Sequence, residues 1–199
     1  MTTHDTTGRA NQKRRTYNAI LQAAAELMRA GREVTMPEVA KAALVSEATA
    51  YRYFPDLSTL LQKAMAELPD LTEAFKSVTN SRDPVARIAA ATEYLLRHVL
   101  AYQGAVRATI AATIARPAES AATRPGLRFG LIDYALAPLG DTLGVTDPAA
   151  LTQLKRDLAV VVGAEALFSL TDLYELAPED AIASIVHTAT TLTRAALAS

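Results

Sequence analysis

Apolar residues recur every three or four positions along almost the whole chain, and alternating β-branched runs are missing, which predicts an all-α fold. The first such stripe, Ile20, Ala24, Leu27 and Met28, belongs to a helix from about Lys13 to Ala30, closed by Gly31 as a left-handed cap. Residues 1–12 show no core pattern and read as a flexible basic arm. Thr35 caps a short helix with Pro37 early in it, assigned to its second turn, and Val39, Ala40 and Ala43 inward. Leu44 and Val45 form a turn, and Ser46 caps a second short helix that ends at Phe54, before Pro55. Asp56 or Ser58 then opens a longer helix with Leu57, Leu60, Leu61, Met65 and Leu68 inward, closed by Pro69.

Longer segments follow. One helical stretch runs from about Pro84 to Ala115, with Gln103-Gly104 as the place where it would break. A polar linker spans 116–123, and a helix of about 126–143 is crossed by Pro138, which should kink it. The last two helices span about 148–175 and 178–198, opened by Asp147-Pro148 and by Pro178-Glu179-Asp180.

Composition adds limits rather than identity. The chain has 199 residues, 50% of them hydrophobic and 21% charged, enough to bury a substantial core in one domain or two small ones. There is no cysteine, which excludes disulfides and thiolate metal sites and fits a reducing compartment. No apolar run reaches the roughly 20 residues a membrane span needs, and the polar N-terminus lacks a signal-peptide pattern, so a cytoplasmic protein without membrane partners is expected. Net charge is −1, but nine basic residues face seven acidic ones up to Glu67, and eleven face fourteen beyond it. Arg9, Lys13, Arg14 and Arg15 cluster before the first apolar stripe.

Two short helices joined by a tight turn and buttressed by an earlier amphipathic helix are the means by which a helix is offered to the DNA major groove. Within Ser46–Phe54, Ala50 and Phe54, together with Val45 just ahead of them, can pack inward, leaving Glu47, Ala48, Thr49, Arg52 and Tyr53 outside. The small side chains of Ala48 and Thr49 permit close approach to base edges, and their methyls can meet a thymine methyl. Arg52 has the reach for a guanine or a phosphate, while Tyr51, Tyr53 and the free amides at Thr35 suit backbone phosphates. Lys13, Arg14 and Arg15 are either part of that interface or a solvated face.

The run Thr35-Met-Pro-Glu-Val-Ala-Lys-Ala-Ala-Leu-Val-Ser-Glu-Ala-Thr-Ala-Tyr-Arg-Tyr-Phe54 resembles the DNA-binding signature of tetracycline-repressor-like (TetR-family) regulators, with similarity from about Lys13 to Leu61. The resemblance implies a helix-turn-helix domain at 13–54, a connecting helix at 55–68, and a ligand-binding and dimerisation domain at 69–199. It further implies a homodimer, a palindromic double-stranded operator, repression controlled by a small molecule, and a four-helix bundle between the last two helices of each copy. Three positions depart from the family's habit: Leu44 stands where it usually has a turn glycine, Ala48 where it often has glycine, and Leu57 where it commonly has a phosphate-binding lysine.

In the second domain Tyr94, His98 and Tyr102 share one helical stripe, as pocket wall or as satisfied core residues. Arg128, Phe129 and Tyr134 on the proline-crossed helix, with Phe168, are further ligand candidates, and the Ala-, Leu- and Tyr-rich composition suits a mainly apolar ligand. Glu165 interrupts an apolar run and should face solvent or a dimer rim. Leu154, Leu158, Val162 and Ala166 on one helix, and Ile182, Ile185, Ala189 and Leu192 on the next, form stripes suited to a dimer bundle or a monomer core. No Glu-x-x-His or His-Glu-x-x-His pair, phosphate-binding glycine loop or Gly-x-Ser-x-Gly context occurs, so neither an enzyme nor a cofactor or metal is expected. The competing reading is a helix-turn-helix adaptor that binds protein rather than DNA.

Overall fold

Caps and prolines written into the sequence mark most helix ends in the computed structural model, which describes residues 4–31, 34–66, 81–115, 127–141 and 143–198. Among these residues the regular elements are all helical. They are α1 (His4–Arg29), α2 (Met36–Ala42), α3 (Glu47–Tyr53), α4 (Leu57–Ala66), α5 (Pro84–Ala101) and α6 (Gln103–Ala115), then α7 (Leu127–Leu136), α8 (Leu143–Thr146), α9 (Pro148–Val161), α10 (Ala164–Phe168) and α11 (Pro178–Ala198). Leu68, Pro69, the linker at 116–123 and Gly126 lie outside the described residues. The helices form two units, α1–α4 with α6, and α5 with α7–α11.

In the first unit the expected stripe of α1 is buried, and Ile20, Ala24, Leu27 and Met28 meet Val39, Ala40, Ala50, Phe54, Leu60 and Leu61 in one core. The Tyr17 ring stacks on Phe54, centroids 4.9 Å apart, tying α1 to the end of α3. Gly31, at φ 63, closes α1 as its position suggests. Two expectations change. The helix begins at His4 rather than Lys13, so the expected arm is, from His4 onward, the first part of α1. Residues 10–15 are exposed there: once a helix is nucleated by its packed end, good helix formers such as Ala10, Gln12 and Lys13 extend it without any core contact. Moreover, α6 belongs to this unit and not to a continuous domain from residue 69, because Ala105 is fully buried in its core with Tyr102 and Ala108 at the edge.

The second unit is built around Ile88 and Leu95 of α5, Leu131, Ile132 and Leu136 of α7, and Leu154 and Leu158 of α9, with α9 packed along α11. Proline ends α7 instead of kinking it: the helix stops at Leu136 and passes into a 3₁₀ turn, Ala137–Leu139, where Pro138 has no amide to offer. The long helix expected over 148–175 is also divided. Val162 and Gly163 are extended, α10 follows, and a π-helical turn at Ser169–Leu173 leads to Glu175 in the left-handed region at φ 58. Three consecutive valines before a glycine weaken the helix there, which gives the break its local cause. Asp147 caps α9 by accepting from the Ala150 amide at 2.9 Å.

Candidate nucleic-acid interface

The short helices of the first unit are fixed by their own side chains. The Thr35 hydroxyl accepts from the Glu38 amide at 3.4 Å and starts α2, and Pro37 occupies its first turn. At the other end of α2, the Val45 amide donates to the Ala40 carbonyl at 2.9 Å and the Leu44 amide to the Lys41 carbonyl at 3.2 Å. That pair of bonds is a Schellman closure, and it holds Leu44 at φ 55 with its side chain 93% exposed. The turn therefore keeps the backbone that a glycine would supply, at the steric cost of a Cβ. Ser46 then starts α3, its hydroxyl accepting from the Thr49 amide at 3.2 Å and lying 2.9 Å from the Thr49 hydroxyl.

This framework buries Ala50 and Phe54 and turns the opposite face of α3 outward. Glu47, Ala48, Tyr51 and Arg52 are exposed, and Thr49 and Tyr53 are half-buried. The Arg52 guanidinium lies 5.7 Å from the Tyr53 ring, which limits its rotamers while leaving its donors outward. A groove beside α3 is lined by Gln12, Lys13, Thr16, Val45, Thr49, Arg52 and Tyr53. A neighbouring one is lined by Gly8, Asn11, Gln12, Arg15, Thr16, Ala19, Ala43 and Val45. The longer α1 thus brings Lys13 and Arg15 alongside α3 and the turn before it, whereas Arg14 is exposed and lines neither groove. Gln12 and Thr16 escaped the sequence reading. The signal was available, since residues 8, 12, 15, 16 and 19 fall on one face of a helix once α1 is extended backward.

The start of α4 is closed by an acid. Asp56 accepts from the Thr59 amide at 2.8 Å and from the Ser58 hydroxyl at 2.6 Å, and Leu57 packs against the core. A carboxylate on that amide and an apolar side chain beside it leave this helix end without the lysine that could hold a phosphate.

Among the candidates of the second unit, Tyr134 has a defined partner that sequence reasoning missed. Arg87 is buried and places its guanidinium 4.6 Å from the Tyr134 ring. It donates to the carbonyls of Tyr134 (2.6 Å), Ala135 (2.9 Å) and Ser81 (3.1 Å), so it holds the last turn of α7 against the approach to α5. Arg128 is paired with Glu165 at 3.3 Å and lies 5.0 Å from the ring of Phe129, which itself is 52% exposed. Glu165 therefore faces neither solvent alone nor an empty rim. Phe168 is buried, Tyr94 lies at the edge of the second core and Tyr102 at the edge of the first. Burial pushes the His98 imidazole below its ordinary range, favouring the neutral ring.

The proposed dimer residues are placed mostly inside one copy. Leu154, Leu158, Val162 and Ala189 are core residues, Ile182 and Ile185 are buried, and Leu192 and Ala166 are half-buried. On the same stretch of chain, Val160, Leu173 and Tyr174 are each more than 70% exposed. Among the described residues no helix is long and apolar enough to cross a membrane, and no group of three or more acidic or histidine side chains is placed to hold a metal ion.

Residues 20–64 match the family described as bacterial regulatory proteins, tetR family. No curated protein matches the chain.

Proposed function

The chain carries a TetR-family N-terminal DNA-binding domain at residues 20–64, the domain of a class of non-enzymatic transcription regulators, and from that premise we propose that it is a repressor whose operator binding is controlled by a small ligand. The observation that carries the DNA reading is the outward face of α3, with Arg52 and Thr49 sharing a groove with Lys13. Arg52 reads or orients on a base edge, Ala48 and Thr49 meet thymine methyls, and Lys13, Tyr51 and Tyr53 hold phosphates. Arg15 adds a positive charge on the same side of α1, with Ser46, Glu47, Thr35 and Arg14 flanking the contact.

Such a protein works as a homodimer in the cytoplasm. Two copies of α3 enter successive major grooves about 34–36 Å apart, so the operator is palindromic. A ligand held in the second unit, with Tyr94, His98, Arg128, Phe129, Tyr134 and Phe168 as candidate contacts, shifts the population toward a dimer with a different separation. Apolar side chains exposed along 160–174 support pairing of copies through this region.

The test is selection of bound DNA fragments by the purified protein over a salt series. A recovered palindrome whose affinity falls steeply with salt is expected, with a slope of about −0.9 per neutralised phosphate. Arg52→Ala should weaken operator binding by about 1–3 kcal/mol and relax sequence preference at one position of each half-site. Weak binding to every sequence, unchanged by Arg52→Ala, would return the domain to a protein-binding role.

A further inference from the structure

Gly163 stands in extended backbone, at φ 173, where its conformation asks nothing of glycine. Space is what demands it. A Cβ at this position would lie 2.5 Å from Nη1 of Arg128 and 3.2 Å from Oε2 of Glu165. The break between α9 and α10 thus gives the Arg128 guanidinium a bare stretch of buried backbone to rest on. Its other neighbours are the Phe129 ring at 5.0 Å and the Glu165 carboxylate at 3.3 Å.

Three other cations of this unit are better engaged. Arg87 donates to three carbonyls, Arg97 makes a two-pronged pair with Glu179 at 2.9 Å for both bonds, and Lys155 meets Asp133 at 2.8 Å. Arg128 differs from these three, and unlike the exposed Arg82, Arg156 and Arg194 it is partly buried. Its side chain is only 22% exposed, yet among the described residues it makes one long bond, from Nη1. The Nε–Nη2 edge, one of the two sides of the fork that can take a carboxylate with two parallel bonds, has no protein acceptor among them. The guanidinium lies over the half-exposed Phe129 ring.

We propose that Arg128, seated over Gly163 and beside Phe129, anchors the carboxylate of a small ligand whose body is apolar and aromatic. The proposal rests on the ligand-controlled reading above and narrows it, since a wholly apolar effector gives way to one with a single anionic end. The carboxylate takes the Nε–Nη2 edge, Glu165 stays on Nη1, and the ligand ring packs against Phe129. Glu165 holds the guanidinium in register and, as a neighbouring negative charge, sets an upper limit on affinity.

The experiment titrates the full chain, without DNA, with 3-phenylpropanoate by calorimetry, and with its uncharged amide as the control. Saturable binding of the acid is expected, with the amide weaker by on the order of tenfold or more. Arg128→Met should abolish binding, Arg128→Lys should retain part of it without the two-pronged geometry, and Glu165→Gln should tighten it several-fold. Gly163→Ala, which displaces the guanidinium, should weaken it. Circular dichroism of each variant separates loss of fold from loss of site, and Glu165→Gln gains affinity only if the anion lies where the proposal puts it. Equal binding of acid and amide, binding indifferent to Arg128→Lys and Glu165→Gln, or no saturable binding of the acid overturns the proposal. Because no DNA is present, these outcomes are independent of whether the operator reading holds.

Discussion

Leu44 concentrates the conflict between side chain and backbone in this protein. Its φ of 55 is imposed by the two hydrogen bonds that close α2, and with a side chain 93% exposed it recovers little packing energy for the strain. Leu44→Gly should raise stability toward unfolding in urea by about 1 kcal/mol, less the extra entropy a glycine loses on folding. A lower urea midpoint would mean that the exposed leucine makes contacts that matter more than its backbone. Leu57 is the complementary case, where the backbone is ordinary and the side chain departs from the family's habit. With Asp56 already capping α4, Leu57→Lys would put a cation at the mouth of the reading domain. Operator affinity should rise at low salt, and the dependence of log affinity on log salt should steepen by about 0.9 per half-site. An unchanged slope would place this helix end away from the DNA backbone. Both positions were visible in the sequence as departures; their consequences became visible with φ at one and the cap at the other.

Four helices in this protein begin where their caps say. Thr35, Ser46, Asp56 and Asp147 open α2, α3, α4 and α9, because an N-cap is a short-range bond between a side chain and an amide three residues on. One ending is also held by a distant partner. The end of α7 is held by Arg87 of α5, 47 and 48 residues away along the chain from the carbonyls it binds. No periodicity announces such a contact, since a buried arginine reads as one polar position among apolar ones. Arg87→Met should cost about 3 kcal/mol, because three carbonyls lose a charged donor in a site that admits little water. Hydrogen exchange would then show faster opening of α7 and of the first turn of α5, while α2 and α3 stay protected. Equal loosening of α3 would contradict the separate cores.

At the scale of the whole molecule, the reading head does not close on its own first 66 residues. Ala105 is buried in the first core and α6 packs on α4 and α1, so the chain leaves the DNA-binding unit, builds part of the second, and returns. A fragment of residues 4–66 should therefore be less stable than the same helices in the full chain, by about 1–2 kcal/mol for the apolar surface α6 covers. Urea denaturation of the fragment, set against exchange protection of α1–α4 in the full chain, measures this. Equal stability would make α6 a passenger.

What could be read from the sequence was local and periodic: an all-helical fold, the capped and proline-bounded helix-turn-helix from Thr35 to Phe54, the core stripe of α1, and an outward face of α3 with Glu47, Ala48 and Arg52. Each follows from spacings of three to seven residues, over which a helix fixes direction. Tertiary structure alone decided the rest. It carried α1 back to His4 beside the reading helix, moved α6 into the first unit, divided the helix at Val162 and Gly163, and gave Glu165 to Arg128. It also turned Leu154, Leu158 and Ala189 into the core of one copy. An apolar stripe states that a face is to be buried but not against what, because burial energy is non-directional and the partner is chosen by the whole packing.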